Sequence, residues 1–476
     1  MQKQIIDIFN FKKIKEVIFI FSGICIFFIS KNNGMFWDNL LFASKMGNHL
    51  YYNSIFNWTI PNQFDPGHPP FLGFLLSIFW KIFEHKLWVA HLAILPFIIG
   101  VFYQLFEFVS YFINDKKKQV LAFVLLIIDP TLSTQFFIVN PEVIIVFFFF
   151  LTLNGYLLKK NILKFIGLLF LSIISFRSMM LFGGFLLFDI YNKLYIEKKK
   201  ISAIFNFKFL LFYFLSSLPG LIYVVWRLLT KGWLQTHPNS PWASLWKVAT
   251  PKIFFKNIIT LIHRYLDFGR IFIFLFLVLS LFILGKKIVK SAKNKQLLVL
   301  SITSVIFIIL AVLFSTNAFG HRYFIVSFCC LNLLAFSILN SYYFKKKIIY
   351  VLLFLGLISG NIWIYPRTIS QGWDATLAHI PYHSLRIEAI NYLKNNKIKI
   401  SEVATFFPNL TKLDDIDFSG NQESFSNFTG KNKYVFYANV FNLTDEEYQI
   451  LDKNYSKQKE FSKFNISIII YTLKEK

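Results

Sequence analysis

Long apolar runs recur along most of this chain, and they constrain its fold more than any other feature. A helix that spans the hydrocarbon core of a bilayer needs roughly 20 consecutive apolar residues. Charged residues make up 16% of the 476 residues, against roughly 25% in soluble domains. The sequence therefore predicts a polytopic α-helical membrane protein with about 11 spans of that length. The candidate spans are about 15–31, 87–113, 119–138, 142–158, 162–177, 180–195, 207–229, 268–285, 296–315, 323–343 and 348–365.

The run at 70–83 is shorter than the others, and the charge of the loops decides how it is placed. Cytoplasmic loops of membrane proteins carry an excess of Lys and Arg. If 70–83 lies at the outer interface without crossing, the basic N-terminus and the lysine-rich connectors all fall on one side. Those connectors are 114–119, 159–164, 192–200, 286–295 and 345–347. This threading predicts a juxtamembrane helix at 70–83 and an extracytoplasmic C-terminus.

The net charge of +25 is explained by these cytoplasmic loops, so a nucleic-acid partner is not predicted. The bias towards Phe, Ile, Lys and Asn is typical of an AT-rich bacterial genome, which predicts a bacterial inner-membrane protein. The three cysteines all lie in apolar runs and are predicted to be small buried hydrophobic residues. They are Cys25, Cys329 and Cys330.

The same threading concentrates the polar chemistry on the extracytoplasmic side. All nine histidines fall there or at the outer end of a helix. So do most acids and arginines of the apolar part, namely Asp38, Asp65, Asp129, Glu142, Arg177, Arg264, Asp267, Arg270 and Arg322. The cytoplasmic loops offer little except lysine, so a functional site is predicted on the outer face.

The composition changes at about Arg367. Apolar stretches typical of strands at 403–407, 434–441 and 466–473 alternate with helix-like segments at 384–396 and 444–453. The second helical segment opens on a capping box of Thr444 and Glu447. We expect a membrane domain over 1–366, which includes a first outer loop at 32–86, and a small extracytoplasmic α/β domain over 367–476.

The first outer loop contains two features that bear on function. From Phe36 to Leu50 the apolar residues recur at helical spacing, which predicts an amphipathic helix on the membrane surface. Asp38 near its start is open to a structural interpretation as a helix-favouring acid. The segment FDPGHPP at 64–70 follows, and it places Asp65 and His68 just ahead of an apolar run.

These features resemble the GT-C glycosyltransferases, and more narrowly glycosyltransferase family 39, which includes the protein O-mannosyltransferases, together with the lipid A aminoarabinose transferases. The resemblance rests on an acid at the start of an outer-loop helix in WDNLLFASKMGNHLYY, followed by FDPGHPPFLGFLL, IDPTLSTQFFIVNPE and GHRYFIV. It covers the membrane part, roughly three-quarters of the chain. In that family the first-loop acid is often doubled, whereas here Asp38 is followed by Asn39.

The resemblance implies an enzyme that moves a sugar, hexose or pentose, from a polyprenyl-phosphate carrier to an acceptor with inversion. The acceptor is a glycan, a lipid or a protein. Asp38 is then the expected general base. Asp65 is the second candidate for this base and could instead orient the acceptor, although an Asp before Pro-Gly is also ordinary turn chemistry. His68 is a candidate to bind acceptor or phosphate, or to complete a local hydrogen-bond network.

The leaving phosphate needs cations or oriented hydrogen-bond donors. The candidates are Arg322 with His321 and Tyr323 at the start of a late helix, together with Arg177 and Arg264. Arg322 could instead be anchored at the interface, and Arg264 could be only a salt-bridge partner of Asp267. A divalent metal is not predicted, because no HExxH pattern occurs.

Two other classes of protein remain open from the sequence. A transporter or lipid flippase usually carries ionisable residues deep in its helices or in paired inverted halves, and the deep segments here are almost all Phe, Leu and Ile. A non-catalytic membrane scaffold would not need Asp38 or the His-Pro-Pro element.

Overall fold

The structure, a computed structural model, describes residues 2–243, 245–317, 319–343 and 345–475. It is mostly helical, with a small sheet near the C-terminus. The helices that precede residue 200 are α1 (Gln2–Ser30), α2 (Met46–Tyr52), α3 (Phe71–Ile82), α4 (Leu87–Phe112), α5 (Lys116–Ile127), α6 (Pro130–Gln135), α7 (Pro141–Leu157), α8 (Asn161–Leu171) and α9 (Phe176–Tyr191). Those that follow, up to the tail, are α10 (Ile201–Ile204), α11 (Phe207–Lys231), α12 (Pro251–Leu266), α13 (Ile271–Leu284), α14 (Lys286–Lys290), α15 (Ala292–Thr303), α16 (Ile306–Leu313), α17 (Ile325–Tyr342) and α18 (Lys347–Gly360).

Five helical segments among the described residues are long and apolar enough to cross a membrane: Leu87–Phe112, Phe176–Ile196, Phe207–Lys231, Ala292–Leu313 and His321–Tyr342. The bent pair α12–α13 makes a sixth if it counts as one span. The protein is an integral membrane protein, but the expected count of about 11 spans is not confirmed. The reason is length, because α7, α8 and α18 are apolar but hold only 10–17 residues.

The chain bends by 95° between α12 and α13. Gly269 sits in this elbow with φ at +78°, a conformation that favours glycine. A Cβ atom at this position would also overlap the carbonyl oxygen of Gly356 in α18. The close approach of the two backbones fixes the positions of Asp267 and Arg270, which flank the elbow.

The first outer loop is more deeply packed than the sequence predicts. A π-helix over Leu40–Lys45 leads directly into α2. Not only the apolar positions but also Asn39 and Ser44 are buried, because α3 and the C-terminal tail cover this segment. The expectation of an amphipathic helix lying on the membrane surface is therefore wrong for most of its length.

The segment at 70–83 forms a helix that is shorter than a membrane span. Pro69 and Pro70 precede α3, which holds 12 residues. At 1.5 Å per residue it is about 18 Å long, too short to cross a hydrocarbon core of about 30 Å.

The C-terminal tail forms a five-stranded mixed sheet with helices on it. The strands are β1 (Val403–Thr405), β2 (Ser426–Asn427), β3 (Tyr434–Ala438), β4 (Tyr455–Lys463) and β5 (Ile466–Leu473), in the order β2-β1-β3-β5-β4. The helices are α19 (Pro381–Asn395), α20 (Asp414–Asp417) and α21 (Asp445–Asn454). The sequence predicts all of these except the polar edge strand β4 and the short elements α20 and β2.

The tail docks on the first outer loop. The backbone N–H of Met35 donates to the carbonyl of Ile416 at 2.8 Å, and the ring of Phe418 packs on Trp80 at 4.9 Å. Phe36 and Trp373, which lie outside the sheet, belong to the same hydrophobic core as the strands. The tail and the loop are thus one packed unit, and the domain boundary at 366/367 stays a prediction.

Candidate functional site

A cavity of about 660 Å³ lies between the first outer loop, the loop after α11, the start of α17 and the C-terminal tail. Of the residues predicted from the sequence, five line it: Asp38, His68, Arg264, Arg322 and Tyr323. Its walls also carry Lys45, Gln63, Asn317, Gln371, Asp374 and Asn442, and the rings of Trp37, Trp242, Trp246, Phe319, Trp373 and Phe407. Aromatic walls with a few charged groups are typical of a site for a small polar ligand with apolar faces.

Arg322 is the central charged group of this cavity. A short 3-10 turn over His321–Phe324 places it at the N-terminal end of α17, and its side chain is only 5% exposed. Its guanidinium pairs with the carboxylates of Asp38 and Asp374, and its Nε lies 3.3 Å from Glu142. Three acids from three distant parts of the chain therefore meet on one arginine.

A second arginine extends this network. Arg177 pairs with the same Glu142 carboxylate and stacks on the ring of Tyr323, with 4.3 Å between guanidinium and ring centroid. Its place is fixed by a capping box of Ser175 and Ser178, which starts α9. The result is a continuous ion-pair chain from Asp38 through Arg322 and Glu142 to Arg177.

His68 is buried beside this chain. Its Nδ1 accepts a hydrogen bond from the backbone N–H of Phe176 at 3.3 Å, and its ring packs edge-on against Phe42 and Trp242. Burial, with Arg177 and Arg322 nearby, lowers the pKa of His68 well below its ordinary value. Because Nδ1 accepts, the neutral ring carries its proton on Nε2 and can donate it.

The cavity adjoins an apolar groove. His68, Trp246 and Tyr323 line both the cavity and a narrow neck of about 20 Å³. Phe176, Met180 and Gln235 in turn line both this neck and a shallow groove of about 400 Å³, whose other walls are Met179, Gly183 and Phe307. The polar cavity is thus followed, past the two arginines, by a surface suited to a hydrocarbon chain.

Asp65, the second predicted acid, does not line the cavity. Its side chain is fully buried and lies 3.0 Å from Arg227 of α11 and 3.6 Å from Lys231. The other oxygen accepts the backbone N–H of Gly67 at 2.8 Å. The structure therefore separates Asp65 from Asp38 and gives it a buried ion pair that ties the FDPGHPP segment to α11.

His321 lies behind the cavity wall. Its Nε2 is 2.7 Å from Asp267, and Tyr365 donates its hydroxyl to the same carboxylate. Burial and this hydrogen bond raise the pKa of Tyr365. Arg264, in the cavity wall, donates to the carbonyl of Phe319 at 3.3 Å.

Among the described residues, one group could hold a metal ion by distance alone. The ligand atoms of His263, Asp267 and His321 lie within 4.8 Å of one another. A metal-bound histidine almost always donates its other ring N–H to a partner, but Nδ1 of His321 is buried and has no hydrogen-bond partner in the part of the chain that the structure describes. The arrangement therefore fits a hydrogen-bonded His–Asp–Tyr group better than a metal centre.

Sequence reasoning missed three charged residues of this region or undervalued them. Glu142 was not a candidate site residue in the sequence analysis, yet it lies between the two arginines. Arg227 could have been found from the sequence, because an arginine inside an apolar helix is energetically costly and usually has a function. Asp374 could not have been found from the sequence, because only the folded tail brings it to Arg322.

The chain was also compared with known proteins. No protein-family model and no curated protein sequence matches it. Among solved structures, the crystal structure of ArnT from Cupriavidus metallidurans bound to undecaprenyl phosphate aligns with a TM-score of 0.52 at 9% identity, over 95% of this chain and 97% of that one. The chain has the fold of ArnT. The GT-C fold expected from the sequence motifs is thereby confirmed.

The apo structure of the same ArnT aligns over the same shares at 10% identity, with a TM-score of 0.49. The alignment with the undecaprenyl phosphate complex covers 95% of this chain, so it extends beyond the membrane part, to which the resemblance in sequence is limited. At this identity the likeness concerns the fold, and the roles of individual residues have to be argued from the geometry above.

Proposed function

We propose that this chain is a membrane glycosyltransferase that moves a hexose or a pentose from a polyprenyl-phosphate carrier to an acceptor hydroxyl on the extracytoplasmic face. The observation that carries the proposal is the ion-pair chain from Asp38 to Arg177, set between a polar cavity and an apolar groove. A lipid-linked sugar has the same sequence of parts: a polar sugar, a phosphate and a hydrocarbon tail. The ArnT structure with undecaprenyl phosphate supports this class of donor.

Asp38 is the general base of the proposed reaction. Its side chain is 24% exposed towards the cavity, whereas its partner Arg322 is almost fully buried. The acceptor hydroxyl gives its proton to Asp38 while its oxygen forms a bond to the anomeric carbon of the sugar. The bond between that carbon and the phosphate oxygen breaks, the polyprenyl phosphate leaves with the electron pair, and the configuration at the carbon inverts.

Arg322 and Arg177 stabilise the negative charge that grows on the leaving phosphate. Both are nearly buried, so their charges act in a medium that screens them little. Without donor, Arg322 is shared between Asp38, Asp374 and Glu142. A phosphate that takes over part of this pairing would free Asp38 to accept the proton, which couples donor binding to activation of the base.

His68 and the groove complete the donor site. Neutral His68 offers an Nε2–H to a phosphate or sugar oxygen without adding charge. The groove along Phe176, Met179 and Phe307 receives the first isoprene units. The reacting carbon then lies on the cavity side of the neck, where Asp38 is.

The test is a transfer assay on the full chain in membranes, with labelled polyprenyl-phosphate sugars as donors. Asp38→Asn removes the base but keeps the size of the side chain, and we expect transfer to fall by at least about 100-fold, in the range of general-base catalysis. Asp115→Asn is the matched control, because Asp115 caps α5 in an exposed position and Asn caps equally well.

Full transfer by Asp38→Asn would show that Asp38 is not the base. No transfer by the wild type from any pentose or hexose donor, with the protein folded, would contradict the enzyme and favour the transporter or scaffold.

A further inference from the structure

A second polar depression lies at the end of the helical bundle opposite the candidate site. α9 begins at Phe176, beside Arg177, and its 16 residues carry the chain about 24 Å away. There, a depression of about 300 Å³ opens between the end of α9 and the starts of α8 and α11. Its lining includes Lys164, Lys193, Lys199, Lys208, Asn161 and Asn206.

Two of these lysines share one buried acid. Lys164, whose side chain is 8% exposed, lies 2.5 Å from one oxygen of Asp189, and Lys193 lies 3.2 Å from the other. Tyr213 donates its hydroxyl to the same carboxylate at 2.6 Å. One carboxylate cannot neutralise two ammonium groups, so this pair leaves a positive charge at the floor of the depression.

The rim adds more positive charge. Lys199 pairs with the exposed Glu197 at 2.6 Å, and Lys208 is exposed and has no acidic partner within the described part of the chain. The depression therefore carries four lysines against two carboxylates, an excess that attracts an anion. The amide groups of Asn161 and Asn206 at its edge offer further hydrogen-bond donors.

The helix faces on both sides of this depression are apolar and exposed. Ile162 in α8 is 75% exposed, and Phe207 in α11 is 76% exposed. Leu211 and Phe214 continue the exposed face along α11. In an integral membrane protein such faces contact lipid tails, so an anion bound here would have apolar surface on either side of it.

We infer that this depression is a binding site for the phosphate headgroup of an anionic membrane lipid, with its acyl chains along α8 and α11. Basic pockets between helices at the lysine-rich side of membrane proteins bind such headgroups. A volume of about 300 Å³ equals about ten water molecules, enough for a phosphoglycerol group. The inference does not depend on the proposed transfer reaction, because the site lies at the other end of the bundle.

Native mass spectrometry of the full chain tests this inference. The protein is equilibrated with phosphatidylglycerol and with phosphatidylcholine of the same acyl chains, and the lipid retained is counted. Wild type is compared with the double variant Lys193→Gln and Lys208→Gln. The control double variant, Lys287→Gln and Lys290→Gln, removes two exposed lysines from α14, at another lysine-rich connector.

We expect the test variant to lose about thirtyfold in relative affinity for phosphatidylglycerol, which corresponds to about 1 kcal/mol for each lysine. We expect the control variant to bind phosphatidylglycerol as the wild type does, and we expect the retention of phosphatidylcholine to be the same in all three proteins. Equal retention of phosphatidylglycerol by the test variant and the wild type would overturn the inference. If the double variant does not fold, Lys208→Gln alone replaces it, because that side chain is exposed and has no acidic partner.

A soluble competitor separates a lipid site from a phosphate site. Inorganic phosphate and glycerol phosphate lack acyl chains, so at the concentration of the lipid we expect neither to displace phosphatidylglycerol. Displacement by either one at that concentration would show a site for soluble anions and would contradict the proposed lipid.

Discussion

Asp65 gives the sharpest test of whether burial or sequence pattern better predicts a residue's role. Its carboxylate lies 3.0 Å from Arg227, and the side chains of both are fully buried. Arg227 also donates to the carbonyl of Leu234 at 2.8 Å and to the hydroxyl of Tyr223 at 3.0 Å. Removing one member of a buried ion pair leaves an uncompensated charge and typically costs about 3–5 kcal/mol.

Asp65→Asn keeps the size of the side chain and can still accept the N–H of Gly67, so it removes little except the charge. It leaves Arg227 and Lys231 without their counter-charge, and we expect the free energy of unfolding to fall by about 3–5 kcal/mol. Arg227→Met leaves Asp65 with Lys231 at 3.6 Å, and we expect a loss near the lower end of that range. The double variant should lose less than the sum of the two, by at least about 1 kcal/mol, because it buries no unpaired carboxylate.

The assay is unfolding of the purified full chain in detergent, followed by tryptophan fluorescence, with transfer activity measured on the folded fraction. Asp115→Asn again serves as the control of equal charge change. We expect transfer per folded molecule to survive in Asp65→Asn. If that variant is as stable as the wild type but does not transfer sugar, Asp65 acts on the substrate and the reasoning from burial is wrong.

Two further predictions concern the cavity and the tail. Asp374→Asn removes one of the three carboxylates that pair with Arg322. The donor phosphate then competes with fewer carboxylates for Arg322, so we expect the KM for the donor, measured by steady-state transfer, to fall. An increased KM would mean that Asp374 positions Arg322 instead. Burial lowers the pKa of His379 from 6.5 to about 4. Between pH 6.5 and about pH 4 the unfolded chain therefore binds a proton that the folded chain does not. The free energy of unfolding falls by about 3 kcal/mol as the pH drops through this range. His379→Gln should reduce this loss of stability when the free energy of unfolding is measured from pH 7 to pH 4. The same loss in the variant and the wild type would show that His379 does not cause it.

The helical class could be predicted from the sequence because apolar runs dictate helices wherever lipid replaces water. The number of spans could not be predicted, since helix length depends on where a turn interrupts an apolar run. Residues 128–129 between α5 and α6 interrupt the candidate span 119–138, and residues 172–175 between α8 and α9 shorten the candidate span 162–177. They leave short helices, of which α8 packs closely on α7, and hydropathy alone does not tell these from full spans.

For the candidate site, the sequence identifies several residues but not the contacts between them. Asp38, His68 and Arg322 could be found from the sequence, because a charged or imidazole group beside a long apolar run is expensive to place and tends to have a function. Their pairing could not be found, because Asp38 and Arg322 are 284 positions apart. The sequence ranks Asp65 second to Asp38 as a catalytic candidate, and the buried ion pair with Arg227 separates Asp65 from the cavity that Asp38 lines.

The tail helps to hold the site together through its own hydrophobic core. Phe36 and Trp373 both belong to the core that the sheet builds, and Phe36 stacks on His379 with 4.7 Å between ring centroids. Phe36 precedes Asp38 by two residues, and Trp373 directly precedes Asp374. Since close-packed cores fix their side chains within narrow limits, packing of the tail sets the positions of both carboxylates on either side of Arg322. The fold of the tail and the geometry of the cavity are therefore coupled, which gives a physical reason for the tail to be joined to the helical bundle.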